Sequence, residues 1–97
     1  MENLYTLHKF NVVHMDIKPE NIMFSKHFNK AVFIDFGLSE ITNAPIGSEK
    51  LVSFKGTPDY CCPEMATAFS SDEKQFVDLY YNDVYCLLKS IRKFKQI

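Results

Sequence analysis

The chain has 97 residues and a mass of 11.3 kDa, enough for one small domain that buries roughly 60% of the surface its unfolded form exposes. A two-lobed enzyme with a deep cleft is excluded for these residues alone, and the balance of 46% apolar to 24% charged residues is that of a soluble globular protein, neither disordered nor collagen-like. Eleven basic against twelve acidic side chains leave a net charge of −1, so no electrostatic footprint marks nucleic acid or an anionic membrane as a partner.

At the N-terminus, Leu4, Leu7 and His8 sit at helical spacing and Asn11 follows as a stop, so residues 1–13 read as the end of a helix. This stretch has no signal-peptide apolar run, and no segment approaches the ~20 apolar residues of a membrane span. Next comes His14-Met15-Asp16-Ile17-Lys18-Pro19-Glu20-Asn21, an irregular segment carrying a carboxylate, an ammonium and a carboxamide. Those groups suit phosphoryl transfer: an acceptor for a hydroxyl proton, a point charge for phosphate oxygens and a neutral oxygen ligand for a hard cation. Alone, an Asp-x-Lys triplet is common on solvated surfaces.

Residues 21–24 and 31–36 are strand-like apolar runs around a polar connection, which predicts a β-hairpin over 22–36. If its turn centres on Phe28, Asn21 falls opposite Asp35, and directly opposed residues bring their Cβ atoms to ~4.5–5.5 Å. Asn21 and Asp35 would then form an oxygen-rich cradle for Mg²⁺ near Asp16 and Lys18. Residues 37–64 hold all three glycines and three of the four prolines and read as a long loop, of a length usually functional or disordered.

Ser70 and Glu73 have capping-box spacing, so the last helix is expected over 70–95. Phe76, Leu79, Tyr80, Val84, Leu87 and Ile91 form its apolar stripe, with Asp83 in the middle. A carboxylate there needs dedicated donors. Cys61, Cys62 and Cys86 are odd in number and lack a CxxC pair, so reduced thiols in a cytoplasmic protein are expected, with neither a disulfide framework nor a zinc site.

Together these motifs resemble the eukaryotic protein kinases, of the serine/threonine type. The family's catalytic loop, His-Arg-Asp-x-Lys-x-x-Asn, is matched by His14, Asp16, Lys18 and Asn21, and its Asp-Phe-Gly by Asp35-Phe36-Gly37. Gly56-Thr57-Pro58-Asp59-Tyr60 is similar to the substrate-docking loop, Cys62-Pro63-Glu64 to the Ala-Pro-Glu that ends the activation segment, and Asp83-Val84-Tyr85 to the Asp-Val-Trp of the central helix. The resemblance implies an α+β, mainly helical fold: part of the large lobe, with the β-hairpin at the active site. Its parts would be a catalytic loop over 14–21, an activation segment over 35–64 and the central helix over 70–95. It implies Asp16 as the base, Lys18 on the transferring phosphate, and Thr57 bonded near both. Asn21 and Asp35 would hold Mg²⁺ and, with Lys18, ATP. His14, Phe36, Gly37, Glu64 and Asp83 become structural supports, Asp83 by bonding the backbone of the catalytic loop. Ser53 stands where many members carry an activating phosphate.

Several positions depart from the pattern. Met15 replaces the Arg that receives that phosphate, and Leu88 stands where the central helix usually has Gly. The stretch from Glu64 to Asp83 is longer than usual, which implies a surface insertion. No Gly-rich loop, strand Lys or helix Glu for the nucleotide is present, and Arg92 comes too early to pair with Glu64. The expected partners are a protein substrate and a complementary kinase lobe or scaffold, and these residues alone are expected to show no phosphoryl transfer. The alternative is a catalytically inactive kinase-like fragment that acts as a binding module or is a truncated product.

Overall fold

The structure, a computed structural model, describes residues 2–27 and 30–95, the first two by their backbone alone. Helix α1 (Glu2–Lys9) ends where Asn11 takes a left-handed φ of 62°, a conformation that Asn tolerates better than most residues. Strand β1 (Val12–Val13) pairs antiparallel with β4 (Glu40–Ile41), and Thr42 extends that ladder by donating its N–H to the Asn11 carbonyl at 2.8 Å. The hairpin strands are β2 (Ile22–Ser25) and β3 (Lys30–Phe33); β5 (Lys50–Val52) pairs with β6 (Gln75–Val77). Helices α2 (Pro63–Ser71) and α3 (Leu79–Lys95) complete an α+β arrangement. Among the described residues no helix is long and apolar enough to cross a membrane.

Helix α3 organises the core. Its first turn, Leu79 and Tyr80, packs with Val13, Met15, Cys61, Cys62, Met65 and Val77. One to two turns later, Cys86 and Leu87 pack with Leu4, Ile17 and Phe33. Met15 and Ile17 thus anchor the irregular segment 14–21 from either side, each burial contributing about 1.5–3 kcal/mol. Asp16, between them, is turned away from both clusters toward Thr57, Lys18 and Asn21. Leu88 is 58% exposed, so the side chain that replaces the usual Gly crowds nothing in this chain.

Three expectations are corrected. First, the hairpin register pairs Ile22 with Phe33 and Ser25 with Lys30, so Asn21 lies opposite Ile34 and not Asp35; Ile34 donates its N–H to the Asn21 carbonyl at 2.9 Å. The connection spans residues 26–29, an even number, which shifts the symmetry point off Phe28; Phe28 itself lies outside the described residues. Regular pairing ends at Phe33, before the expected limit at residue 36. Second, the last helix starts at Leu79. Ser70 belongs to α2, which ends at Asp72 with φ 55°, and Ser71, not Ser70, accepts the Glu73 N–H at 3.3 Å. The cap of α3 is Asp78, whose Oδ1 accepts the N–H groups of Tyr80 and Tyr81, both at 3.1 Å. Phe76 leaves the stripe for β6, opposite Leu51, and is 61% exposed. Third, the loop expected over 37–64 contains β4 and β5. Both pair with partners distant in sequence, which local composition cannot reveal.

Candidate active site

The segment between β1 and β2 is held open by its backbone partners. Asp83, fully buried on α3, accepts the N–H of His14 at 2.7 Å and that of Met15 at 3.0 Å, and its Oδ2 also accepts from His8 Nε2 at 3.0 Å. The carboxylate in the apolar stripe therefore has three donors, as burial demands. These bonds stabilise a left-handed Met15, φ 74°, a costly conformation for this side chain that needs such support. His14, buried and flanked by Phe33 and Phe36 with ring centroids 5.9 and 4.9 Å away, accepts the Asp16 N–H on Nδ1 at 3.1 Å. Its Nε2–H donates to the Ile34 carbonyl at 3.0 Å, and these two partners assign the tautomer.

The polar groups converge on Asp16. Thr57 donates its hydroxyl to Asp16 Oδ1 at 2.8 Å, and Lys18 Nζ donates to Thr57 Oγ1 at 3.1 Å while lying 3.8 Å from Asp16 Oδ2. Asn21 closes the other side: its Nδ2 donates to the Asp16 carbonyl at 2.9 Å and reaches Asp16 Oδ2 at 3.4 Å. A short 3-10 turn, Pro19–Asn21, brings it there, with Pro19 supplying a preset φ. Gly56 makes the approach of Thr57 feasible. Its φ is 108°, and a Cβ built on it would lie 2.6 Å from the Met15 carbonyl oxygen.

Asp35 follows the hairpin on an exposed turn with φ 58°, its Oδ1 accepting the Gly37 N–H at 3.3 Å. The turn that carries it away from the ladder, not a cross-strand pairing, sets its position. With the Asn21 amide N–H₂ spent on Asp16, the Asn21 oxygen has no protein donor among the described residues, and Asp35 Oδ2 is likewise unengaged. No group of three or more His, Cys, Asp or Glu side chains that could hold a metal occurs among the described residues. One carboxylate plus one carboxamide fits Mg²⁺, which keeps several waters and phosphate oxygens in its shell, and does not suit a metal that needs a full protein cage.

The remaining predicted residues lie further out. Glu64 is exposed in the first turn of α2, where its charge complements the helix dipole. Ser53 is exposed beside a cavity of about 340 Å³ whose walls include Asp72 and Glu73, so a phosphate there would meet like charge. The nearby Lys55 and Lys50 are engaged by Glu40, at 2.9 and 3.7 Å. Sequence reasoning missed this Glu40 link, the Gly56 contact and the His8–Asp83 bond. It also missed Asn82, which accepts the Cys62 N–H at 3.0 Å and joins α2 to α3. Of these only Gly56 left a signal, as the glycine of the Gly-Thr-Pro run.

The model of the protein kinase domain matches residues 1–87. The chain is 42% identical to the serine/threonine-protein kinase fused of Drosophila melanogaster over 62 residues, covering 64% of this chain and 7% of that protein. It is 39% identical to serine/threonine-protein kinase 17A of Oryctolagus cuniculus over 67 residues, or 67% of this chain and 16% of the relative. An Aurora kinase of Debaryomyces hansenii is 38% identical over 80 residues, covering 82% and 18% respectively. The chain belongs to the protein kinase family. It spans less than a fifth of the length of each of these three relatives.

Proposed function

We propose that these residues are the catalytic portion of a serine/threonine protein kinase, transferring the γ-phosphoryl group of ATP to a protein hydroxyl. The observation that carries this reading is the Asp16–Thr57–Lys18 cluster. Asp16 is oriented by Asn21 and Thr57, and a remaining lone pair of its carboxylate would accept the hydroxyl proton as that oxygen attacks the γ-phosphorus, the bond to the bridging oxygen breaks and ADP leaves. Lys18 sits beside it as a positive charge for the transferring phosphate. Asn21 and Asp35 would hold Mg²⁺, which neutralises phosphate charge when bound. Because catalysis of this kind is mostly positioning and electrostatics, residues 1–97 are expected to be inactive without a nucleotide-binding lobe. Three free thiols, Cys61, Cys62 and Cys86, suit a reducing cytoplasmic setting.

The direct test is a chimera in which residues 14–64 replace the matching segment of an active serine/threonine kinase. It should phosphorylate Ser/Thr peptides and lose that activity with Asp16→Asn. A folded chimera that is inert with Asp16 intact would overturn the reading. A second role has its own support: Met23 and Phe24, on opposite faces of the hairpin, are 56% and 61% exposed, apolar side chains available to a complementary kinase lobe.

A further inference from the structure

Beside the substrate-facing loop lies a groove of about 700 Å³ that the catalytic cluster does not use. One wall is Pro58, Asp59 and Tyr60, beginning one residue after Thr57. The other is a face of α3, where Leu88, Lys89, Arg92 and Lys93 recur at helical spacing. None of these three cations has a carboxylate partner within 4.0 Å among the described residues, although the chain as a whole carries a net charge of −1. Complementing the helix dipole accounts for cations in the last turn of α3. It accounts neither for Lys89, three residues before that turn, nor for Pro58 and Tyr60 in the wall that faces it.

We infer that this groove binds an extended acidic peptide segment, with carboxylates on Lys89, Arg92 and Lys93 and apolar side chains against Leu88 and Pro58. A peptide is favoured over nucleic acid because Asp59 lies in the same groove and would repel a continuous polyanion, whereas a peptide can offer it an amide or hydroxyl donor. Three cations are also few beside the roughly 6–10 phosphate contacts of a salt-sensitive nucleic-acid binder. Because the groove starts beside Thr57, the inference deepens the kinase reading, and rests on it to this extent alone, by naming proteins with acidic stretches flanking the acceptor hydroxyl as the substrate class.

The test is binding, not turnover, so its failure is separable from that of the chimera. A fluorescein-labelled decapeptide of Glu, Asp, Ala and Ser is titrated with the 97-residue chain at low salt, beside its Gln/Asn counterpart and a ten-nucleotide oligo-dT. Expected is a dissociation constant about tenfold weaker for the Gln/Asn peptide. A similar loss is expected for the acidic peptide with Lys89→Gln/Arg92→Gln, a variant of exposed residues whose circular dichroism should match the parent. Amide shifts should concentrate at 58–60 and 85–93. Equal affinity for both peptides, no binding of the acidic one, tighter binding of oligo-dT, or shifts centred elsewhere would each overturn the inference.

Discussion

Gly56 and the carbonyl oxygen of Met15 approach so closely that a methyl group on Gly56 would sit 2.6 Å from that oxygen. The contact brings the loop carrying Thr57 against the segment carrying Asp16, both members in left-handed backbone. Gly56→Ala must therefore move backbone, at a cost well above the ~1 kcal/mol of an unfavourable φ alone. Gly47, at φ 90° with nothing within 4 Å of a built Cβ, provides the control. Urea unfolding should show a clearly larger midpoint loss for Gly56→Ala than for Gly47→Ala; equal losses would refute the steric argument.

Asp83→Asn removes one acceptor from a buried group that serves three donors. Each donor left unpaired costs about 1–3 kcal/mol, so a small domain should lose much of its stability. The urea midpoint should fall sharply, and protection of the His14 and Met15 amides from hydrogen exchange should fall with it. Unchanged protection at those two amides would mean that Asp83 does not hold the loop.

The two competing starts of α3 can be told apart by substitution. Asp78→Ala should cost about 1 kcal/mol, as loss of an N-cap does. Ser70→Ala should stay within ~0.5 kcal/mol, as exposed changes away from such features do. The reverse order would restore the capping box at Ser70 and Glu73.

Glu40 is held below its ordinary carboxylate value of 4.5, first by the hydrogen bond from Lys55 and then by the charges of Lys55 and Lys50, against the opposing effect of burial. A depressed folded value means that this contribution is complete above the ordinary value and fades as pH falls through the lower, folded one. The stability difference between parent and Glu40→Gln should be ~0.2–1 kcal/mol at pH 7. It should shrink in acid and in high salt. A difference independent of pH would show that the charge is irrelevant there.

Burial pushes all three thiols up, Cys62 to about 11 and Cys61 and Cys86 also above their usual range. Since the thiolate is the reactive species, iodoacetamide at neutral pH should leave the native chain unmodified and label all three positions in urea. Rapid labelling of any one in the native state would contradict the packing around α3.

The site was more legible than the scaffold because chemical identity travels with the residue, whereas geometry depends on partners. Asp16, Lys18, Asn21 and Thr57 are recognisable by type and spacing, and the costly position of Asp83 in an apolar stripe already called for donors. The hairpin register turned on one residue in the connection, a difference that composition does not encode. The start of α3 was obscured because Ser70 with Glu73 and Asp78 with Tyr80 both offer local capping. What decides between them is β5, which draws residues 75–77 into a strand.

His14 precedes its anchor Asp83 by 69 residues, so during synthesis the loop leaves the ribosome long before the carboxylate that shapes it. At about 5–20 residues per second, it waits roughly 3–14 s for α3. Asp16 and Lys18 are present through nearly all of that interval and Thr57 only in its later part, yet none has its folded position. Translation thus imposes an order in which reactive groups appear first and their arrangement last, and a product interrupted before α3 carries the motif without the site.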